Sequence, residues 1–235
     1  MAFGKKKNLK RRKKKSLAQQ SKQILILMTV ILVIILGGCT YVINKTSGQI
    51  YEQMSQMAQL YAQELDNRFL RISRNLFSTI MDTNETNSTF WGNVNLMKNG
   101  DYSEYAIGKL REEYFSSAWE YGTEYRIFLY THDTDKLYQL SLSSDGNYTM
   151  SPDIAASIRE QIDKLDEKTY AVKRKWDVLE CDNEVYICKI AQKNGIALGC
   201  IVNVKSILEP FSKLSLGKHG YVSLVDQDEV CIGML

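Results

Sequence analysis

The sequence predicts an α+β domain carried on one long amino-terminal helix. Three observations predict it: an uncharged apolar run at residues 24–43 behind a block of basic residues, an apolar stripe at helical spacing from Ile50 to Ile80, and, beyond residue 100, two helical segments interleaved with five short runs rich in β-branched and aromatic residues.

Charge is the first guide, because its distribution says more than its net value. Residues 1–22 hold ten Lys or Arg and no acid, whereas the remainder carries 20 basic against 27 acidic side chains. The basic tail therefore stands apart, and nothing beyond it predicts a polyanion-binding surface. A nucleic-acid arm is the competing reading of the tail. Its position against an apolar helix favours a topogenic role and contact with anionic lipid instead.

Residues 24–43 are uncharged and mostly aliphatic, and twenty residues are what a helix needs to cross about 30 Å of hydrocarbon. We read this run as a retained anchor rather than a cleaved signal peptide, since it is long and no clear small-x-small site follows. Leu36-Gly37-Gly38-Cys39 loosely resembles a lipoprotein box, but the long preceding run fits an anchor better. Ten basic residues precede the run and only Lys45 closely follows it, so the positive-inside rule puts the amino terminus in the cytoplasm and the bulk outside. The expected location is the plasma membrane, in a single pass.

After Asn44 the apolar residues Ile50, Met54, Met57, Tyr61, Leu65, Phe69, Ile72, Leu76 and Ile80 recur at steps of three and four, with extra fours that act as stutters in a heptad. A stalk helix follows directly from the membrane segment. Its first half is expected to form a homodimer seam and its second half, beyond Leu65, to pack on its own domain. The turn formers between Asp82 and Thr89 end it.

Downstream, the pattern predicts a helix over Ser103–Tyr121 and a hairpin of Tyr125–Thr131 with Lys136–Leu142. A helix follows, opened by Ser151-Pro152 and reaching about Leu165, then strands at Tyr170–Leu179, Glu184–Ala191 and Ile196–Val204. Asn194-Gly195 joins the last two strands, and Gly199 interrupts the second without ending it. The helices are expected to cover one face of the five-stranded sheet. Val204–Phe211 reads as a connecting helix, and Gly217–Asp226 opens a new turn-and-strand unit, inside which the sequence stops. The expected divisions are a basic tail (1–22), a transmembrane helix (23–43), a stalk (44–82), a distal module (83–204) and the start of a proximal one (205–235).

Chemistry is sparse. The five cysteines form no Cys-x-x-Cys pair, and His132 and His219 lie far apart, so no zinc site is expected. A two-residue turn at Asn194-Gly195 pairs Cys188 with Ile201 and Cys200 with Lys189, which argues for buried thiols rather than a disulfide. No phosphate loop, nucleophile elbow or kinase box is found, and neither catalysis nor a cofactor is expected of this chain. Asn84, Asn87 and Asn147 head sequons that are common by chance.

Ile196-Ala-Leu-Gly-Cys-Ile-Val-Asn-Val204 before Ile207-Leu208, and Gly217-Lys-His-Gly-Tyr-Val-Ser-Leu-Val-Asp226, together with the layout of residues 24–235, are similar to the double Cache sensory region of bacterial receptors, especially Gram-positive sensor histidine kinases. Glu229 stands where that family usually has a turn glycine. The resemblance implies a PAS-like distal module that binds a small molecule between its sheet and a covering helix or loop. It also implies a proximal module, a second membrane helix and a cytoplasmic output domain of the two-component type, so the chain resembles the front part of a longer receptor. The amino-acid-binding subgroup of that family carries an Arg-x-Trp-Tyr pattern, where Ser117-Ala-Trp-Glu120 stands here, so an amino-acid ligand is not supported.

Small-ligand sites are mostly apolar clefts with a few oriented polar groups. On that basis Trp119, Tyr121, Tyr125, Arg126, Tyr130, Tyr138, Trp176 and Tyr186 are the candidate ligand-binding residues, with Arg126 suited to a carboxylate. Ordinary core packing is the alternative for each. At the level of function, a ligand-sensing receptor module competes with a membrane-anchored structural or interaction protein of the cell envelope. An enclosed pocket within residues 100–204 favours the first.

Overall fold

The computed structural model describes residues 3–82, 88–98, 100, 103–122, 124–142, 146–165, 171–172, 175–212, 221–225 and 231–234. They divide into two units, residues 1–56 and residues 57–235. Among them, helix α1 (Phe3–Ile80) is long and apolar enough to cross a membrane.

In the first unit every side chain from residue 24 to residue 43 is exposed. The two threonine hydroxyls there are satisfied within the helix, Thr29 donating to the Leu25 carbonyl and Thr40 to that of Leu36, each at 2.8 Å. Such bonds leave no threonine hydroxyl in need of water.

The second unit begins with the last turns of α1. Its core face is the lower half of the stripe: Ile72, Leu76 and Ile80 are buried, and Leu65 and Phe69 are half-buried against the same cluster. Tyr61 and Met57 remain exposed. The expected core contact beyond Leu65 is thus present.

Helix α2 (Thr89–Lys98) follows and was not expected from sequence. It buries Phe90, Trp91, Val94 and Met97, a short stripe lost beside the turn formers that precede it. Helix α3 (Ser103–Tyr121) has the predicted limits.

Six antiparallel strands then form one sheet in five positions: β1 (Tyr125–Thr131), β2 (Lys136–Gln139), β3 (Ala171–Val172), β4 (Asp177–Cys181), β5 (Glu184–Lys193) and β6 (Ile196–Asn203). The order is β2-β1-β6-β5-β3, with β4 on the same flank of β5 as β3. The single strand expected at Tyr170–Leu179 is therefore two pieces, and Tyr170 lies outside the described residues. The β5–β6 hairpin turns on Asn194 and Gly195, both at positive φ, and its register is the predicted one, Cys188 opposite Ile201 and Lys189 opposite Cys200. Asp182-Asn183 makes the same kind of turn between β4 and β5.

Both faces of the sheet are covered, not one as expected. Tyr125, Ile127, Leu129, Ile187, Leu198, Cys200 and Val202 meet α1, α2 and α3. On the other face Phe128, Tyr130, Cys188, Ile190 and Ile201 meet α4 (Pro152–Asp163), which presents Ile154, Ile158 and Ile162 at steps of four. Ser151 caps that helix through the Ile154 amide at 3.3 Å, with Pro152 in its first turn. Cys188 and Cys200 thus lie on opposite faces, and no disulfide forms among the described residues.

Helix α5 (Val204–Ser212) leaves β6 without a loop and buries Val204, Ile207, Leu208 and Phe211. Beside it lies a hairpin of β7 (Ser223–Val225) and β8 (Cys231–Met234), the expected turn-and-strand unit in part. Half of its Gly217–Asp226 motif, residues 217–220 and 226, lies outside the described residues, as do Glu229, Asn84 and Asn87.

Candidate functional site, a cleft at one end of the sheet

Beneath the middle of α4 the sheet is solidly packed, with Phe128, Cys188, Ile190, Ile158 and Ile162 all fully buried. At the end where α4 begins and α5 leaves β6, a cleft of about 560 Å³ opens. Its floor is Arg126 of β1, Tyr186 of β5 and Ile201 and Asn203 of β6; Ile154, Glu209 and Tyr61 stand at its rim, together with Glu124 just before β1.

Strand alternation explains why those side chains meet. Arg126 lies opposite Ile201, which lies opposite Cys188, while Tyr186 lies opposite Asn203, so all occupy the α4 face at one end. Nearer the middle of the same face stand Phe128 and Tyr130, which close it with hydrocarbon. The sheet thus changes from core to cleft along single strands.

Polar order beside the cleft centres on Glu184, which binds two of the lining side chains. Its Oε2 accepts from the Tyr186 hydroxyl at 3.0 Å and from Asn203 Nδ2 at 2.6 Å, and its Oε1 accepts from Lys205 Nζ at 3.2 Å. The Tyr186 and Lys205 hydrogen bonds hold its carboxyl below the usual range, outweighing the small opposing effect of burial. Burial pushes the Tyr186 hydroxyl upward, so it remains a donor at neutral pH.

Arg126 differs from its neighbours. The nearby Glu124 is taken by Arg68, 3.4 Å away, which also reaches the Tyr121 carbonyl. Among the described residues the Arg126 side chain has no hydrogen bond or ion pair, and its charge acts on the Tyr186 hydroxyl, so toward them a half-buried guanidinium in the cleft keeps its donors. Five N–H groups in a planar fork suit a carboxylate or a phosphate.

Of the eight residues singled out from sequence, the structure brings only Arg126 and Tyr186 together in this cleft. Tyr121 and Tyr125 belong to the helical core on the other face, where Tyr125 meets Phe69 edge-on at 6.2 Å. Trp176 packs on that same Phe69, with centroids 4.8 Å apart. Tyr130 is buried under α4 and donates to Asp135 at 3.0 Å; burial pushes its hydroxyl up to about 12. Tyr138 lines a separate pocket of about 140 Å³ between the α2–α3 junction and the β1–β2 hairpin. Trp119 lies on α3, and its side chain is outside the described residues.

Sequence reasoning missed Asn203, Glu209 and Tyr61. For Asn203 a signal existed: an Asn closing a strand directly before a helix is a capping position, and its Oδ1 accepts from the Lys205 amide at 2.8 Å. Tyr61 and Glu209 lie outside residues 100–204, and no local pattern connects them. Nor is the cleft the enclosed pocket expected there, since Tyr61 and Glu209 at its rim are exposed.

No group of three or more His, Cys, Asp or Glu gathers to hold a metal ion among the described residues. The chain matches no protein-family model, no curated protein and no solved structure.

Proposed function

We propose that this chain is the membrane-anchored sensory region of a receptor, built like a Cache module, that takes a small anionic molecule outside the cell. One observation carries the reading: a guanidinium with no side-chain partner among the described residues lies in a 560 Å³ cleft, beside an aromatic hydroxyl, an amide and aliphatic walls, with Glu124 and Glu209 at the rim. That composition is the chemistry of ligand binding. The α+β layout behind a helix able to span a bilayer supports the receptor architecture. The basic block before residue 22 supports an amino terminus on the cytoplasmic side, held against anionic lipid.

On this reading the chain binds and does not catalyse, and it works without a cofactor and without nucleic acid. Output would come from a two-component kinase domain in the same receptor. Exposed Ile50 and Met57 support pairing of two copies along the stalk.

The test is a thermal-shift screen of the purified full chain in phospholipid nanodiscs, against a panel of small carboxylates and organic phosphates. At least one should raise the melting temperature, since binding to the folded state alone stabilises it. Arg126→Ala should remove the shift while leaving the unliganded melting temperature close to that of the parent. A shift that persists in Arg126→Ala, or no shift from any member of the panel, contradicts the proposal.

A further inference from the structure

Asn203 both lines the cleft and caps the helix leading out of it. Its Nδ2 donates to Glu184 Oε2 at 2.6 Å, in company with the Tyr186 hydroxyl, while its Oδ1 accepts from the Lys205 amide at 2.8 Å. One planar amide therefore serves two masters. Turning it to satisfy a new partner in the cleft withdraws the cap from α5, whose first amides have no acceptor within the helix.

Helix α5 is also placed to hand such a change onward. Val204 and Leu208 pack against Gly233 of β8 so closely that an added Cβ there would run into the Val204 side chain. Leu224 and Ile232 of the β7–β8 hairpin join the same cluster as Val204, Ile207 and Leu208. Packed contacts of this kind shift as a set, because interiors have little free volume.

We infer that Asn203 is a coupling residue, through which events at the Glu184 end of the cleft change the first turn of α5 and, with it, the β7–β8 hairpin. The inference gives a mode of regulation to the cleft proposed above as the ligand site and rests on that reading for its purpose, though not for its test. An occupant that draws the Tyr186 hydroxyl or the Asn203 amide toward itself takes donors from Glu184 and reorients the cap.

The test needs no ligand. Hydrogen exchange is measured on the full chain in nanodiscs in a Lys205→Met background, which removes the direct Glu184–Lys205 ion pair. Glu184→Ala should speed exchange of the residue 205 amide by about fivefold, the scale of losing a cap, and of the β8 amides in the same direction. In Asn203→Asp, which keeps the capping oxygen but loses the donor to Glu184, the amide stays protected and Glu184→Ala adds nothing. Unchanged exchange after Glu184→Ala, or an equal rise in the Asn203→Asp chain, overturns the inference. A failed ligand screen would leave this result standing, so the two readings fail separately.

Discussion

The ring of Phe128 on β1 lies directly over the backbone of Gly199 on the neighbouring β6, its cross-strand partner. A Cβ at Gly199 would fall 2.7 Å from the ring's Cε2 and 2.8 Å from the Lys189 carbonyl oxygen, so glycine is what lets the ring reach the sheet. Gly199→Ala should lower stability by about 1–3 kcal/mol, the usual cost of forcing an atom into a packed core. Urea unfolding checks this. A loss much smaller than that would mean the ring has room to move.

The opposite placement of Cys188 and Cys200 makes a second prediction. Peptide mapping under non-reducing conditions should recover both as thiols, and reductant should leave the melting temperature unchanged. A Cys188–Cys200 linked peptide would contradict the register described above.

Much of this fold was legible because its signals are local. Asn194-Gly195 fixed the β5–β6 register to the residue, and Ser151-Pro152 marked the start of α4, since each depends only on backbone preferences of adjacent residues. Helix α2 escaped notice because its four buried apolar residues span little more than two turns, too short a run for periodicity to stand out. The break between β3 and β4 left no local mark either. The cleft was readable only in Arg126 and Tyr186. Its remaining lining comes from residues as far apart as Tyr61 and Glu209, brought together by packing rather than by any spacing in the chain.

Acid should weaken the Glu184 end of the cleft. The carboxyl is held below its ordinary value of 4.5 by the Tyr186 and Lys205 hydrogen bonds, so its contribution to stability is present above that value and is lost as pH falls through the lower, folded one. The Glu184→Gln chain should therefore lose less stability than the parent between about pH 5 and pH 3. Chemical unfolding at several pH values measures the difference. Parallel curves would show that the network contributes nothing to folding.

Along the stalk, Met54→Cys or Met57→Cys should form disulfide-linked dimers in membranes more readily than Gln53→Cys or Gln56→Cys. The methionines belong to the apolar stripe and the glutamines do not. Equal cross-linking at all four positions would remove the support for pairing.

The central claim joins an outward-facing domain to an anion-binding cleft, and one labelling measurement tests both parts. Ser206 lines the cleft from α5; Ser206→Cys in a Cys39→Ser, Cys231→Ser background offers a reporter thiol there. In intact cells a membrane-impermeant maleimide should label it, and the carboxylate or phosphate that stabilises the purified chain should slow that labelling, an effect that Arg126→Ala abolishes. Labelling only after the cells are permeabilised, or at a rate that no stabilising anion alters, would contradict the account.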